Sequence, residues 1–164
     1  MKNERLELSD LKTIQWSGLV ILRILIGWHL LYEGIIKITD PNWTSVAYLE
    51  QSTWIFSGLF QAIAASPGLL AFIDIVNQWA LLAAGFMLIA GLWTKAASYA
   101  GMVLLLLYYL AQPPFFQTGM TGGLGNSLIV NMVLIEAAAL FILSMFPTGR
   151  VVGLDRLIYL MKRK

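Results

Sequence analysis

The chain has 164 residues, of which 59% are hydrophobic and only 12% charged, with a formal net charge of +2 and a mean hydropathy of +0.74. That balance excludes an ordinary soluble domain and points to a single-domain integral membrane protein in a lipid bilayer. With no cysteine and one histidine, the chain offers no disulfide, thiol relay, iron–sulfur or two-histidine haem site, and no metal is expected. Its basic residues gather at the ends, which suits a membrane surface and not nucleic acid.

Residues 1–15 alternate charges and read as a polar tail. A cleaved signal peptide is not expected, because the apolar run that follows is too long and carries Arg23. That run predicts a first transmembrane helix over about 16–38, long enough for the ~30 Å hydrocarbon core. It holds Arg23, His29, Glu33 and Lys37 at membrane depth, where an ionisable group is costly and is read first as functional or paired. His29, Glu33 and Lys37 are spaced by four and share one stripe of a helix. Arg23, Gly27, Leu30 and Gly34 form a neighbouring stripe, whose glycines admit close approach of another backbone.

The connection from Thr39 to Gly68 is aromatic, with Trp43, Tyr48, Trp54, Phe56 and Phe60, and is broken by Gly58. It predicts one or two short interfacial helices, with Asp40-Pro41 as a helix start. A second helix over about 68–92 carries Asp74, Asn77 and Gln78 in its first turns. A third, over about 96–111, has almost no polar side chain and is expected to face lipid. The short linker around Lys95 makes these two antiparallel neighbours. Prolines and glycines then forbid a regular helix until about Asn126, where a fourth helix is expected to run to about Phe146 with Asn131 and Glu136 on it. Residues 147–164 form a basic tail whose apolar positions recur at helical spacing, as in a surface helix.

The fold class expected is therefore an all-α, four-transmembrane-helix bundle with an interfacial helical segment and a C-terminal amphipathic helix. Lys and Arg are absent from 39–94 and 96–149, which places both termini in the cytoplasm and the protein in the inner (cytoplasmic) membrane. At 1.5 Å per residue, Glu33, Asp74 and Asn131 all lie roughly 8–9 Å below the outer interface, with Lys37 just above and His29 just below. Glu136 lies near the midplane, at a depth the Arg23 side chain reaches. Arg23–Glu136 is thus expected as an inner structural ion pair. Glu33, Lys37 and His29 are expected as reactive groups of an outer site, and Asp74, Gln78 and Asn131 as its binding groups. The bland alternative for the outer cluster is a polar knot that glues helices together.

Several motifs occur in order: Arg23-x3-Gly27-x5-Glu33-Gly34-x2-Lys37, Gly85-x5-Gly91-x3-Lys95, Tyr108-x4-Pro113-Pro114-Phe115, Asn131-x4-Glu136 and Gly149-Arg150-x2-Gly153-x-Asp155-Arg156. In this the chain resembles the DoxX family, and most of all the branch with the DoxD subunit of thiosulfate:quinone oxidoreductase. The resemblance implies a four-helix membrane protein tied to quinone-linked redox chemistry, and it carries no residue-level catalytic assignment. A quinone needs a polar partner for each carbonyl, an apolar slot and aromatic walls. Glu33, His29, Lys37 and Asn131 are candidate polar partners. Trp28, Tyr32, Trp54 and Phe115 are candidate walls. Electrons would come from a bound reductant or a partner redox subunit, and a homo-oligomer is equally open. Two other functions compete: a non-catalytic scaffold or assembly subunit, and a small transporter or lipid handler.

Overall fold

The computed structural model describes residues 13–114 and 129–162, and within them every regular element is a helix. Three are long and apolar enough to cross a membrane: α1 (Thr13–Thr39), α4 (Pro67–Ala90) and α5 (Thr94–Ala111). Between α1 and α4 lie α2 (Val46–Glu50) and α3 (Ser57–Ala64), the two short helices expected there. A fourth apolar helix, α6 (Met132–Met145), has 14 residues. The chain ends in α7 (Thr148–Val151) and the amphipathic α8 (Leu154–Met161).

Two helix starts differ from expectation. Asp40-Pro41 opens a turn and not a helix: the Asp40 carboxylate accepts from the Asn42 N–H at 3.0 Å, and the Trp43 N–H bonds the Asp40 carbonyl. The side chain that reads as an N-cap stabilises an Asx-type turn equally well. Helix α6 begins at Met132 and not near Asn126, because Asn131 is extended and its side chain accepts from the Leu134 N–H at 2.9 Å. That is an N-cap, and a cap marks the end of a helix, never its interior.

α1 packs along α4, α4 also meets α5, and α5 packs along α6; α1 and α6 touch over a shorter length. The α1–α4 contact runs along the glycine stripe. A Cβ on Gly85 would sit 2.7 Å from the Gly27 carbonyl oxygen, and one on Gly34 would meet the Leu82 side chain at 2.9 Å. Close backbone approach of this kind stands in for a hydrophobic driving force that helices lack in lipid. The core joins Ile26 and Leu30 of α1 to Leu81, Ala84 and Leu88 of α4, Ala97 and Leu105 of α5, and Leu140 and Leu143 of α6. A smaller cluster of Leu49, Phe60, Ala64 and Ala111 seats α2 and α3 on the end of α5.

α5 corrects the expectation of a lipid-facing helix. Of the three long helices it has the largest buried share, 39% against 33% and 28%. Its buried positions include Ala97, Ser98 and Gly101. In a bilayer, lack of polar groups does not mark the outside; small side chains mark the contact.

The C-terminal segment is docked, not merely apposed. Thr148 and Gly149 are buried. The Asp155 carboxylate accepts from the Trp93 N–H at 2.7 Å and from the Thr94 N–H and Oγ1 at 3.1 Å each, and the Asp155 N–H bonds the Gly91 carbonyl. This clamp closes the α4–α5 turn, where Gly91 (φ 68°) and Trp93 (φ 44°) are both left-handed. Trp16 and Phe146 meet edge to face at 6.1 Å, so the start of α1 and the end of α6 share that end of the molecule.

Candidate functional site

At the opposite end lies a cavity of about 370 Å³, lined from five elements. Glu33 and Lys37 come from the last turns of α1, Asn77 from α4, Tyr108 from α5 and Val133 from α6. Trp43, Thr44, Ser45 and Tyr48, from the loop after α1 and from α2, form the roof. Lys37 Nζ donates to Glu33 Oε2 at 2.5 Å and stands 5.6 Å from the Trp43 ring centroid. The Lys37 side chain is 14% exposed and the Glu33 side chain 42%. The pair is therefore closed on the lysine side and open on the glutamate side.

Tyr108 Oη donates to Asn77 Oδ1, which leaves the Asn77 amide N–H groups as donors. Tyr48 meets Tyr108 edge to face at 6.2 Å and donates from its phenol to the Tyr108 carbonyl at 2.8 Å. Burial pushes the Tyr48 phenol up to about 12, so it is a donor and not an anion at any ordinary pH. The lining combines one cation, one carboxylate, one amide and three aromatic rings, the chemistry of a site for an amphiphile with a polar head.

The other expected site residues have different employment. Asp74 is buried and tethers the roof: its carboxylate accepts from Thr44 Oγ1 at 2.8 Å, Ser45 Oγ at 2.5 Å and the Ser45 N–H at 3.2 Å. Gln78 Nε2 donates to the Lys37 carbonyl at 3.2 Å and so satisfies the end of α1. Asn131 caps α6. None of these three lines the cavity. Trp54 packs edge to face on Tyr109 at 6.5 Å, and Trp28 stacks on Tyr32 at 6.4 Å on the exposed surface of α1. Phe115 lies outside the described residues.

The expected Arg23–Glu136 ion pair does not form. Glu136 Oε1 instead meets His29 Nδ1 at 2.6 Å and bridges α1 to α6 across their shorter contact. Arg23, 1% exposed, donates to the Val152 carbonyl at 2.8 Å and to Thr148 Oγ1 at 3.3 Å. Depth along the axis matched Arg23 to Glu136, but rotation about it separates them. Arg23 lies on the glycine stripe beneath the C-terminal segment, and His29 lies on the face turned to α6. The cavity residues that sequence reasoning missed are Trp43, Thr44, Ser45, Tyr48, Asn77, Tyr108 and Val133. Asn77 and Tyr108 were signalled as polar groups within apolar helices; choosing between Asn77 and Gln78 needed the helix rotation.

Three helices long and apolar enough to cross a membrane mark a multi-pass membrane protein. Residues 18–112, more than half of the chain, match the DoxX family, and the chain belongs to it. No curated protein and no solved structure matches the chain. The matched span covers α1 to α5, so it includes every cavity residue except Val133 and stops before Glu136 and the C-terminal clamp.

Proposed function

We propose that this chain is a four-span membrane subunit of a quinone-linked oxidoreductase, of the thiosulfate:quinone kind, with the quinone head in the Glu33–Lys37 cavity. The observation that carries this reading is the pairing of a half-buried lysine with a more open glutamate inside an aromatic-walled cavity at one end of a helical bundle. The residues fit the group. Lys37 and the Asn77 amide are donors suited to carbonyl oxygens, Trp43, Tyr48 and Tyr108 flank a flat ring, and the volume falls within the range of ligand sites. Val133 adds an apolar group to the lining, on the α6 side of the cavity.

A bound quinone takes up two electrons with two protons. Glu33 is the group that holds and passes a proton, and Lys37 fixes its carboxylate and lends a positive field to the head. His29, one helical turn further in and joined to Glu136, extends the titratable path toward the midplane. With no cysteine in this chain, the electrons come from a soluble reductant or a partner subunit. The basic end of the bundle faces the cytoplasm of an inner membrane.

One observation favours a second reading, a non-catalytic assembly subunit: Asp74, Gln78 and Asn131 are all engaged in holding loops and helix ends. The deciding test uses Glu33→Gln, which keeps shape and removes charge. Gently purified wild type should carry extractable quinone by mass spectrometry, and Glu33→Gln should lose most of the quinone reduction while keeping its melting temperature. If quinone content and turnover both survive in Glu33→Gln and in Asn77→Ala, the cavity is structural and the assembly reading replaces this one.

A further inference from the structure

A second cavity, of about 560 Å³, lies at the clamp end, between the start of α5 and the C-terminal helices. Three cations line it: Lys95 in the first turn of α5, Arg150 in α7, and Lys162 just after α8. Among the described residues none of the three is ion-paired. Arg150 is laid over the Tyr159 ring at 5.2 Å, which orients its guanidinium and leaves the N–H edges available. The carboxylate in the lining, Asp155, is held by three hydrogen bonds from Trp93 and Thr94. Three cations against one carboxylate leave the lining with a net positive charge, which an anion offsets.

We propose that this cavity binds the phosphate of an anionic phospholipid. Phosphate is the shared chemistry of a lipid head and of free phosphate, and the apolar part of the lining decides between them. Met145, Phe146 and Ile158 form the other rim, which a free phosphate has no use for and an acyl chain covers. The cavity also lies where two membrane-length helices end. Beside it, Trp93 is exposed, and α8 presents Leu157, Leu160 and Met161 outward. An amphipathic helix with its apolar face unpartnered lies in the interfacial plane, at the depth of lipid heads. A basic pocket between helices at that depth is suited to capture of one lipid.

The test is native mass spectrometry of the full chain in mild detergent, with melting curves in parallel. Probes are dioleoyl phosphatidylglycerol, dioleoyl phosphatidylcholine and inorganic phosphate. Wild type should retain phosphatidylglycerol in preference to phosphatidylcholine and melt higher with it, and millimolar phosphate should not displace it. Each charge removed should weaken retention about fivefold, cumulatively in the triple variant Lys95→Gln/Arg150→Gln/Lys162→Gln. Lys162→Gln alone, at an exposed position, tests the same point without touching the packing. Arg156→Gln, outside the cavity, should change little. Equal retention of both lipids, full displacement by phosphate, an unchanged Lys162→Gln or an equal loss in Arg156→Gln would each overturn the proposal.

Discussion

Arg23 and His29 lie less than two helical turns apart, yet they serve different contacts. Arg23 holds the C-terminal segment through Thr148 and Val152, and His29 holds α6 through Glu136. Removing Arg23 leaves the Val152 carbonyl and Thr148 hydroxyl short of a charged donor, at a cost of about 3 kcal/mol. Arg23→Ala should therefore melt clearly lower in detergent. A double-mutant cycle of His29→Ala with Glu136→Ala should show a coupling of about 1 kcal/mol, whereas Arg23→Ala with Glu136→Ala should be additive. Coupling in the second cycle would restore the pair that depth alone suggested. The charged residues of α1 stood out in the sequence because hydrocarbon makes them costly. Which partner each one takes did not, since rise per residue fixes depth and leaves rotation open, and Thr148 and Val152 carry no charge to announce them.

At the scale of elements, the glycine stripe of α1 was legible from spacing, and its partner, Gly85 of α4, is where the two backbones come closest. Gly85→Ala forces the helices apart and should cost about 1–3 kcal/mol. Gly18→Ala, which meets nothing within 4 Å, should be neutral or stabilise by up to about 1 kcal/mol through helix propensity. Equal melting temperatures for the two variants would remove the close crossing. The roof of the first cavity offers a test of another kind. The Tyr48 phenol is raised from its ordinary value of 10.0 to about 12 by burial. An acid raised on folding contributes stability that is whole below pH 10 and is lost as pH climbs through 12. Absorbance titration should show Tyr48 ionising late, and Tyr48→Phe should remove that late step. Ionisation near pH 10 in the folded protein would mean an open roof. The position of α5 could not be read this way. Its uniform apolarity looked like lipid exposure, and only the small residues Ala97, Ser98 and Gly101 foretold its buried place between α4 and α6.

For the whole molecule, the three long helices were plain because runs of that length and hydropathy have no other stable home than a bilayer. The Glu33–Lys37 cavity was half legible. Glu33 and Lys37 were found from their cost at depth, while Asp74 and Asn131, matched by depth, and Gln78, on the same helix face as Asp74, serve loops and helix ends. The remaining question of arrangement is whether α6, only 14 residues long, returns the chain across the membrane. Contacts put the start of α1, the α4–α5 turn and α8 at one end and α2 and α3 at the other. Lys95, Arg150, Arg156 and Lys162 all fall at the first end, and the 39–94 segment has no Lys or Arg, so the positive-inside rule predicts a cytoplasmic first end. The chain has no cysteine, so a single introduced thiol reports its own location without background. Gln51→Cys and Arg156→Cys both lie at exposed positions. With an impermeant maleimide, Gln51→Cys should label in intact cells and Arg156→Cys only after permeabilisation. The reverse pattern inverts the protein and moves the Glu33–Lys37 cavity to the cytoplasmic leaflet. Labelling of both from outside would mean that α6 does not return the chain, and the four-span arrangement would fall with it.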